Sequence, residues 1–213
     1  MEESTLGRRE ENKLRTRSAL ERAAARLFEE QGFGATTVRD IAAAAGVGER
    51  TFFRYFPSKE DLVLQEVRDL IPGLMRAVRE RPAEESPLTA LREAMATWLT
   101  ETETTPTILI SGPPKDESGN VENVRALESD LDDAITAAFV DRLEASGADR
   151  ADGLTELRAT VQARAGVAAI RGMFMALKNG WCDDATISPE PGRAPTVAEL
   201  TDLLRVSFSM LES

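Results

Sequence analysis

The stretch of residues 36–62 constrains the fold of this chain more than any other part of it. Thr37, followed three residues later by Asp40, forms a capping-box pattern that marks the start of a helix. Apolar residues then recur at helical spacing until Gly46, which ends the helix because glycine adopts left-handed backbone angles at little cost. The stretch therefore predicts a short helix that ends in a tight turn.

A second short helix is predicted from about Gly48 to Tyr55. It places Phe52 and Phe56 four residues apart, and therefore on one face. Pro57 ends this helix, and Ser58 is positioned to cap a third. Two helices joined by a glycine turn form the helix-turn-helix pattern, whose second helix can enter the major groove of DNA.

The flanks of this pattern make it more specific. The segments AGV, TFFRYF and SKEDL, preceded by a helix that ends in LFEEQGF, closely resemble the amino-terminal DNA-binding domain of the TetR family of transcriptional regulators. The resemblance spans about residues 13–67. It implies a one-component bacterial repressor whose helical carboxy-terminal domain binds a small ligand and forms a homodimer.

The charge of the chain is unevenly distributed. The formal net charge is −11, which by itself argues against a nucleic-acid partner. Between residues 12 and 59, however, nine lysines and arginines outnumber five acidic residues, a net of +4. This asymmetry orients the amino-terminal head toward phosphates and keeps the acidic body away from them.

Composition also excludes several function classes. The chain has no histidine, which removes histidine-based triads and zinc sites, and its single cysteine, Cys182, cannot form an intrachain disulfide. We find no paired-carboxylate or nucleophile motif, no signal peptide and no membrane-length apolar run. We therefore expect no enzyme activity, no metal, no cofactor and no membrane partner; with the resemblance, the expected location is cytoplasmic, at the bacterial nucleoid.

We expect an all-α protein in three parts. Residues 1–11 are predicted to form a flexible tail, residues 12–58 a three-helix helix-turn-helix DNA-binding domain, and residues 59–213 a helical domain for ligand binding and dimerisation. The roles of the last two parts follow from the resemblance. Pro72 and the glycine after it are expected to kink or end the helix that begins at Lys59. Further helices are predicted over residues 13–31, from 87, over 121–145 and 153–179, and from about 197.

The candidate DNA contacts lie on the exposed faces of the two motif helices. Arg50 can bind guanine through paired donors or pair with a phosphate, and Glu49 can accept a hydrogen bond from a cytosine amine. By resemblance, Arg39 and the start of the second helix hold base-contacting positions, while other residues match backbone contacts. Thr51 and Phe53 are equally well explained as residues that pack within the protein and as residues that contact DNA. The full set is Thr37, Arg39, Gly48, Glu49, Arg50, Thr51, Phe53, Arg54, Tyr55 and Lys59.

Two positions depart from the family pattern. Phe53 stands where the family often has tyrosine, so a hydroxyl contact to phosphate is lost, and Tyr55 is a nearby substitute. Gly48 stands where serine or threonine is common, so the second motif helix lacks a side-chain cap.

The body offers weaker candidates for a ligand pocket. Large apolar side chains there would suit a largely apolar or aromatic effector, although such residues at helical spacing are more often core than pocket. The candidates are Met95, Trp98, Phe139, Met173, Phe174 and Trp181.

The resemblance implies a dimer interface on the last two helices, and the sequence pattern supports it independently. Residues 165–177 are apolar nearly all round, so this helix needs partners on two sides, and its small residues permit close approach. Burial inside a monomer is the alternative. The candidates are Ala165, Gly166, Ala169, Gly172, Leu200, Leu204 and Phe208.

Together these features favour a ligand-responsive repressor that binds a palindromic operator in double-stranded DNA as a homodimer, with half-sites about one helical turn apart. An effector of unknown identity would release it. The alternatives are an activator of the same fold, or an acidic helical dimer that serves as a protein-interaction module. Steep salt dependence would distinguish DNA binding from the interaction module, because phosphate contacts release counterions.

Overall fold

Helices joined by short turns and loops make up the ranges that the computed structural model describes, residues 3–101, 121–179 and 196–212. In these ranges it forms eight α-helices and no strand, which confirms the predicted all-α class. None of the eight is both long and apolar enough to cross a membrane. The helices are α1 (Glu3–Gln31), α2 (Val38–Ala44), α3 (Glu49–Tyr55), α4 (Lys59–Glu80), α5 (Pro87–Glu101), α6 (Val121–Ala145), α7 (Gly153–Asn179) and α8 (Val197–Glu212).

The described residues divide into two compact units, one up to Glu66 and the other from Val67 onward, so that the division falls inside α4. The first unit, the head, is built on one apolar cluster to which α1, α2, α3 and the start of α4 all contribute. Leu20, Ile41 and Phe52 in this cluster are completely buried. This core fixes α2 and α3 against α1 and leaves their other faces exposed.

The second unit, the body, contains the rest of α4 and four further described helices that pack against one another. α6 lies along α7, α7 along α8, and α5 against both α7 and α8. Ile135, Phe139 and Phe208 are completely buried between these helices. The helix boundaries predicted for residues 121–145 and 153–179 agree with the observed ones.

The amino-terminal segment differs from its prediction. α1 begins at Glu3, so residues 3–11 are helical, and the predicted start of the first helix near residue 13 is about ten residues too late. The segment GRREENK consists mostly of arginine, glutamate and lysine, which have high intrinsic helix propensity. This propensity extends α1 beyond the part that packs in the head.

Pro72 does not end its helix, because α4 continues through it to Glu80. Both Pro72 and Gly73 are exposed, so water can hydrogen-bond the carbonyl that a proline leaves without its helical partner. Beyond the proline, Met75 and Val78 are buried in the body. Burial of these side chains stabilises the last turns of α4.

Arg142 is a buried charge that the sequence analysis did not identify. Its side chain on α6 is only 5% exposed. The guanidinium donates to the backbone carbonyls at the carboxy-terminal end of α4 and in the loop that follows, those of Val78 at 3.0 Å, Arg81 at 2.8 Å, Pro82 at 2.6 Å and Glu85 at 2.9 Å. It thereby satisfies carbonyls that have no helical partner and ties the α4–α5 loop to α6.

Candidate nucleic-acid interface

The start and end of α2 are fixed by local chemistry that the sequence predicted. The Thr37 hydroxyl accepts from the backbone N–H of Asp40 at 3.2 Å, and the Thr37 N–H donates to the Asp40 carboxylate at 3.0 Å, which completes the capping box. After the helix, Gly46 has φ +71°, and Val47 N–H donates to the Ala42 carbonyl at 2.9 Å. The turn therefore holds α3 at a set angle to α2.

The capping box makes the stability of α2 depend on pH. Hydrogen bonds from the Thr37 hydroxyl and then from its backbone N–H hold the pKa of the Asp40 carboxyl below its ordinary value. Because the folded pKa is the lower one, the carboxylate stabilises the head above the unfolded pKa, and this contribution is lost as the pH falls through the folded value. We expect the melting temperatures of wild type and Asp40→Asn to differ at neutral pH and to converge in acid.

Thermal unfolding followed by circular dichroism across that pH range measures the convergence. Glu29→Gln, which neutralises an exposed carboxylate on α1, is the matched control and should not reproduce the difference. If the gap between wild type and Asp40→Asn persisted in strong acid, the charge of Asp40 would not be its source.

The exposed α3 face comprises Glu49, Arg50, Phe53 and Arg54, and it is the surface on which the candidate residues converge. It lies opposite Phe52, which is completely buried in the head. Phe53 is 53% exposed and packs edge-on against Phe52, with ring centroids 5.5 Å apart. The face thus carries two guanidinium groups, one carboxylate and one aromatic ring, a set that can both hydrogen-bond base edges and contact a thymine methyl group.

The neighbouring candidates flank this face. Arg39 and Thr37 are exposed at the start of α2, whereas Thr51 and Tyr55 are half-buried on the sides of α3. The Tyr55 hydroxyl accepts from Arg54 at 3.5 Å, and the Arg54 guanidinium lies 5.1 Å from the centre of the Tyr55 ring. Tyr55 therefore orients Arg54.

Gly48 occupies the cap position of α3 in extended backbone geometry. As predicted from the sequence, no side chain at this position caps the helix by a hydrogen bond. The first turn of α3 is instead closed by the backbone, because the Gly48 carbonyl accepts from Thr51 N–H at 2.8 Å. The exposed start of α3 therefore carries no capping side chain.

Lys59 is placed differently from the other candidates. Its half-buried ammonium donates to the carbonyls of Phe33 at 2.7 Å and Thr36 at 2.9 Å. It also lies 4.3 Å from the centre of the Phe33 ring. The charge therefore points toward the turn between α1 and α2.

Thr36 is a structural residue whose role the sequence analysis missed. It is 1% exposed, and its hydroxyl donates to the Gly32 carbonyl at 2.8 Å and accepts from the Gln31 amide at 3.2 Å. These bonds close the turn between α1 and α2. The only local signal is a threonine soon after a helix-ending glycine, since the partners lie four and five residues away.

The pocket candidates are mostly buried. Met95, Phe139 and Met173 are at most 8% exposed on α5, α6 and α7, and Trp98 is half-buried. The Phe174 side chain and Trp181 lie outside the described residues. A surface cleft of about 290 Å³ is lined by other residues, among them Asp133, Thr136, Ala137, Arg150 and Thr155. In the described parts of the chain, no group of three or more His, Cys, Asp or Glu side chains is placed to hold a metal ion.

Most dimer candidates lie in the core of the chain itself. Leu200, Leu204 and Phe208 are completely buried, and Ala169 is 7% exposed. These four cannot form a surface for a second copy, and that part of the prediction is wrong.

The other three dimer candidates are Gly166, Ala165 and Gly172, and one of them is also buried in the core. A Cβ added to Gly166 would lie 2.9 Å from the side chain of Leu91, so this glycine permits close packing of α7 on α5 within the chain. Gly166 is therefore also a core residue. Ala165 is half-buried, and Gly172 is exposed. Of the seven candidates, only these last two remain available to a second copy.

The outer face of α7 carries the exposed apolar residues instead. Leu154, Leu157 and Val161 are 68%, 57% and 60% exposed and recur at helical spacing on the side of α7 opposite its buried face. They continue, with the same spacing, toward Ala168, Gly172 and Met175, which are also exposed. We call these six residues the outer α7 stripe. The two-sided apolarity of α7 thus corresponds to one face in the core and one in solvent.

Part of the head matches a known protein family, and curated regulators resemble part of the chain. The family model described as bacterial regulatory proteins, tetR family, matches residues 21–65. The transcriptional regulator TcmR of Streptomyces glaucescens is 43% identical over 88 residues, which cover 41% of this chain and 39% of that protein. The transcriptional repressor KstR2 of Rhodococcus jostii is 42% identical over 74 residues, 35% of this chain and 36% of that protein. The chain matches less than half the length of each of these relatives.

One solved structure resembles nearly the whole chain. FadR of Thermus thermophilus, a TetR-family transcriptional repressor solved in complex with lauroyl-CoA, is 27% identical with a TM-score of 0.57. The likeness covers 92% of this chain and 93% of that one, and so includes the helices of the body. With the match of the head to the family model, it leads to one conclusion: residues 21–65 match the tetR family of bacterial regulatory proteins, and the chain as a whole is similar in fold to a TetR-family repressor.

Proposed function

We propose that the protein is a DNA-binding transcriptional regulator, a repressor that binds a palindromic operator as a homodimer and is released by a small, largely apolar effector. The observation that carries the proposal is the exposed α3 face, held on a helix-turn-helix by the buried Phe52. Its arginines have the donors that guanine and phosphate require, and its aromatic ring can contact thymine. The positive charge of residues 12–59 supports the same partner.

The outer α7 stripe supports a homodimer. Apolar side chains as exposed as Leu154, Leu157 and Val161 along one helix face are typical of protein–protein contacts. On α8, Val206 and Met210 are exposed at the same helical spacing, at 38% and 70%. A two-fold dimer through α7 and α8 would present two heads to a palindrome.

The core of the body supports an apolar effector. Met95, Phe139 and Met173 come from three helices that pack together, so a cavity that opened among them would be lined by apolar and sulphur-containing side chains. FadR of T. thermophilus was solved with lauroyl-CoA, which has an apolar acyl chain on a large, charged CoA group. Molecules with such an acyl chain, tested both free and as CoA thioesters, are therefore the first class of compound to test. Release of the protein from its operator is the readout.

The connections of α4 support a mechanism for release. α4 is one continuous helix from the head into the body, and there Arg68 and Arg79 pair with Asp130 and Asp141 of α6 at 3.2 Å and 2.6 Å. An effector that displaced α6 would therefore move α4 and change the separation of the two heads. For release, the effector must bind the displaced state more tightly than the operator-competent state.

Selection of bound duplexes from a random DNA pool, near physiological salt, tests the function. We expect an enriched palindrome with half-sites about one helical turn apart, roughly 34 Å. Affinity for it should fall steeply with salt. A stable dimer that enriched no sequence at any salt concentration would instead favour the protein-interaction module.

The Arg50→Ala variant should lose sequence preference at one base position of each half-site. A bidentate arginine–guanine contact discriminates by about 1–3 kcal/mol, so the mutant should accept other bases there while it still binds DNA. Competition between the selected operator and single-base variants measures this effect. Arg22→Ala, which removes an exposed arginine of α1, is the control, and equal losses in both variants would contradict the placement of α3 in the groove.

A further inference from the structure

Lys59 is held by the protein in a way that leaves few of its ammonium donors for a ligand. Two of the three ammonium donors are used by the carbonyls of Phe33 and Thr36, at 2.7 Å and 2.9 Å. The face of the Phe33 ring, 4.3 Å from Nζ, covers the group further. At most one donor remains for a phosphate.

The two carbonyls belong to the turn that sets the start of α2. Phe33 lies just after α1, and its ring packs against Phe28 with centroids 5.1 Å apart. Thr36 directly precedes Thr37, the cap residue of α2. Lys59 is the first residue of α4, so a single side chain connects the start of α4 to the start of α2.

We propose that Lys59 is a positioning residue, which clamps the α1–α2 turn to α4 and so sets the angle of the two motif helices, and that it does not act as a phosphate contact. The inference rests on the proposed DNA-binding function. It replaces the expectation from the resemblance that Lys59 binds the DNA backbone. Since α4 runs on into the body, the clamp also makes the motif helices follow any movement of α4.

The two roles differ in how they affect salt dependence and specificity. Removing a side chain that neutralises one phosphate makes the slope of log affinity against log salt shallower by about 0.9. It also weakens binding to all DNA sequences alike. A clamp that only orients the motif leaves that slope unchanged. Loss of the clamp weakens binding to the operator, where the bases must meet the exposed α3 face. It leaves the affinity for non-specific DNA unchanged.

The experiment compares Lys59→Met with Arg54→Met. Both substitutions keep an unbranched apolar stem, but Arg54 lies on the exposed α3 face. For Lys59→Met we expect operator affinity to fall about tenfold, with non-specific affinity and the salt slope unchanged between about 50 and 200 mM KCl. For Arg54→Met we expect a smaller slope on both DNAs.

A second variant, Phe33→Leu, keeps the charge of Lys59 but removes the ring beneath it. It should reproduce the loss of operator preference, also without a change in slope, and it protects the test if Lys59→Met unfolds. A slope reduced by about 0.9 in Lys59→Met, or full operator affinity in both Lys59→Met and Phe33→Leu, would overturn the inference. Wild type that bound no DNA would overturn the proposed function itself, which is a separate outcome.

Discussion

Replacing Arg142 by methionine should destabilise the body by about 3–5 kcal/mol, one of the two largest effects that we expect in this chain. The substitution keeps an apolar stem of similar length but removes the donors for four backbone carbonyls, those of Val78, Arg81, Pro82 and Glu85. These groups lie where the buried guanidinium excludes much of the water that would otherwise bind them. Burial lowers the pKa of Arg142, yet arginine remains charged at any pH at which the protein is folded.

Urea unfolding of the full chain measures the loss, and Arg79→Met is the matched control. Arg79 also bonds to α6, through Asp141 at 2.6 Å, but both side chains are about 40% exposed. Exposed ion pairs contribute at most about 1 kcal/mol, so the control should unfold close to wild type. If the two variants unfolded at similar urea concentrations, the four carbonyls would be finding other donors, and Arg142 would not organise the loop.

The features that sequence predicted well are those decided by neighbours in the chain. The capping box at Thr37, the turn at Gly46 and the bounds of α6 and α7 each depend on residues within a few positions. The exposed α3 face follows similarly, because Phe52 and Phe56 define the buried side and helical geometry places the rest. Most of the candidate DNA contacts lie on exposed surfaces of α2 and α3.

The features that sequence missed depend on partners far along the chain. Arg142 lies about sixty positions from the carbonyls it binds, and Lys59 lies more than twenty from Phe33 and Thr36. The local sequence around each residue looks like that around an exposed cation on a helix. Only the packing of the helices decides whether such a charge faces solvent or backbone.

The dimer prediction shows a third kind of limit. The sequence of α7 correctly indicates two apolar faces, but hydrophobicity alone does not say which face the chain buries in its own core. The small residues of α7 predict close contact with a second copy. Gly166 does allow close approach, but to Leu91 of the same chain, while the larger Leu157 and Val161 remain in solvent.

The Val161→Glu variant should therefore be monomeric and should lose operator binding. Val161 is 60% exposed near the middle of the outer α7 stripe, so the substitution leaves the core intact but places two like charges at the centre of the proposed interface. A monomer has one head and cannot bind both half-sites at once. Because it loses the gain from joint binding, its affinity for the operator should fall about 100- to 10,000-fold. Sedimentation measures the mass, and titration of the selected operator measures the affinity.

Ala126→Glu adds the same charge to an exposed position on α6 and should remain a dimer with wild-type operator affinity. Each head of Val161→Glu should still bind non-specific DNA as a wild-type head does, because the positive charge of residues 12–59 is unchanged. A dimeric Val161→Glu would place the interface on another surface. A monomer that kept full operator affinity would show that one head suffices for recognition, and the palindrome would then have no structural basis.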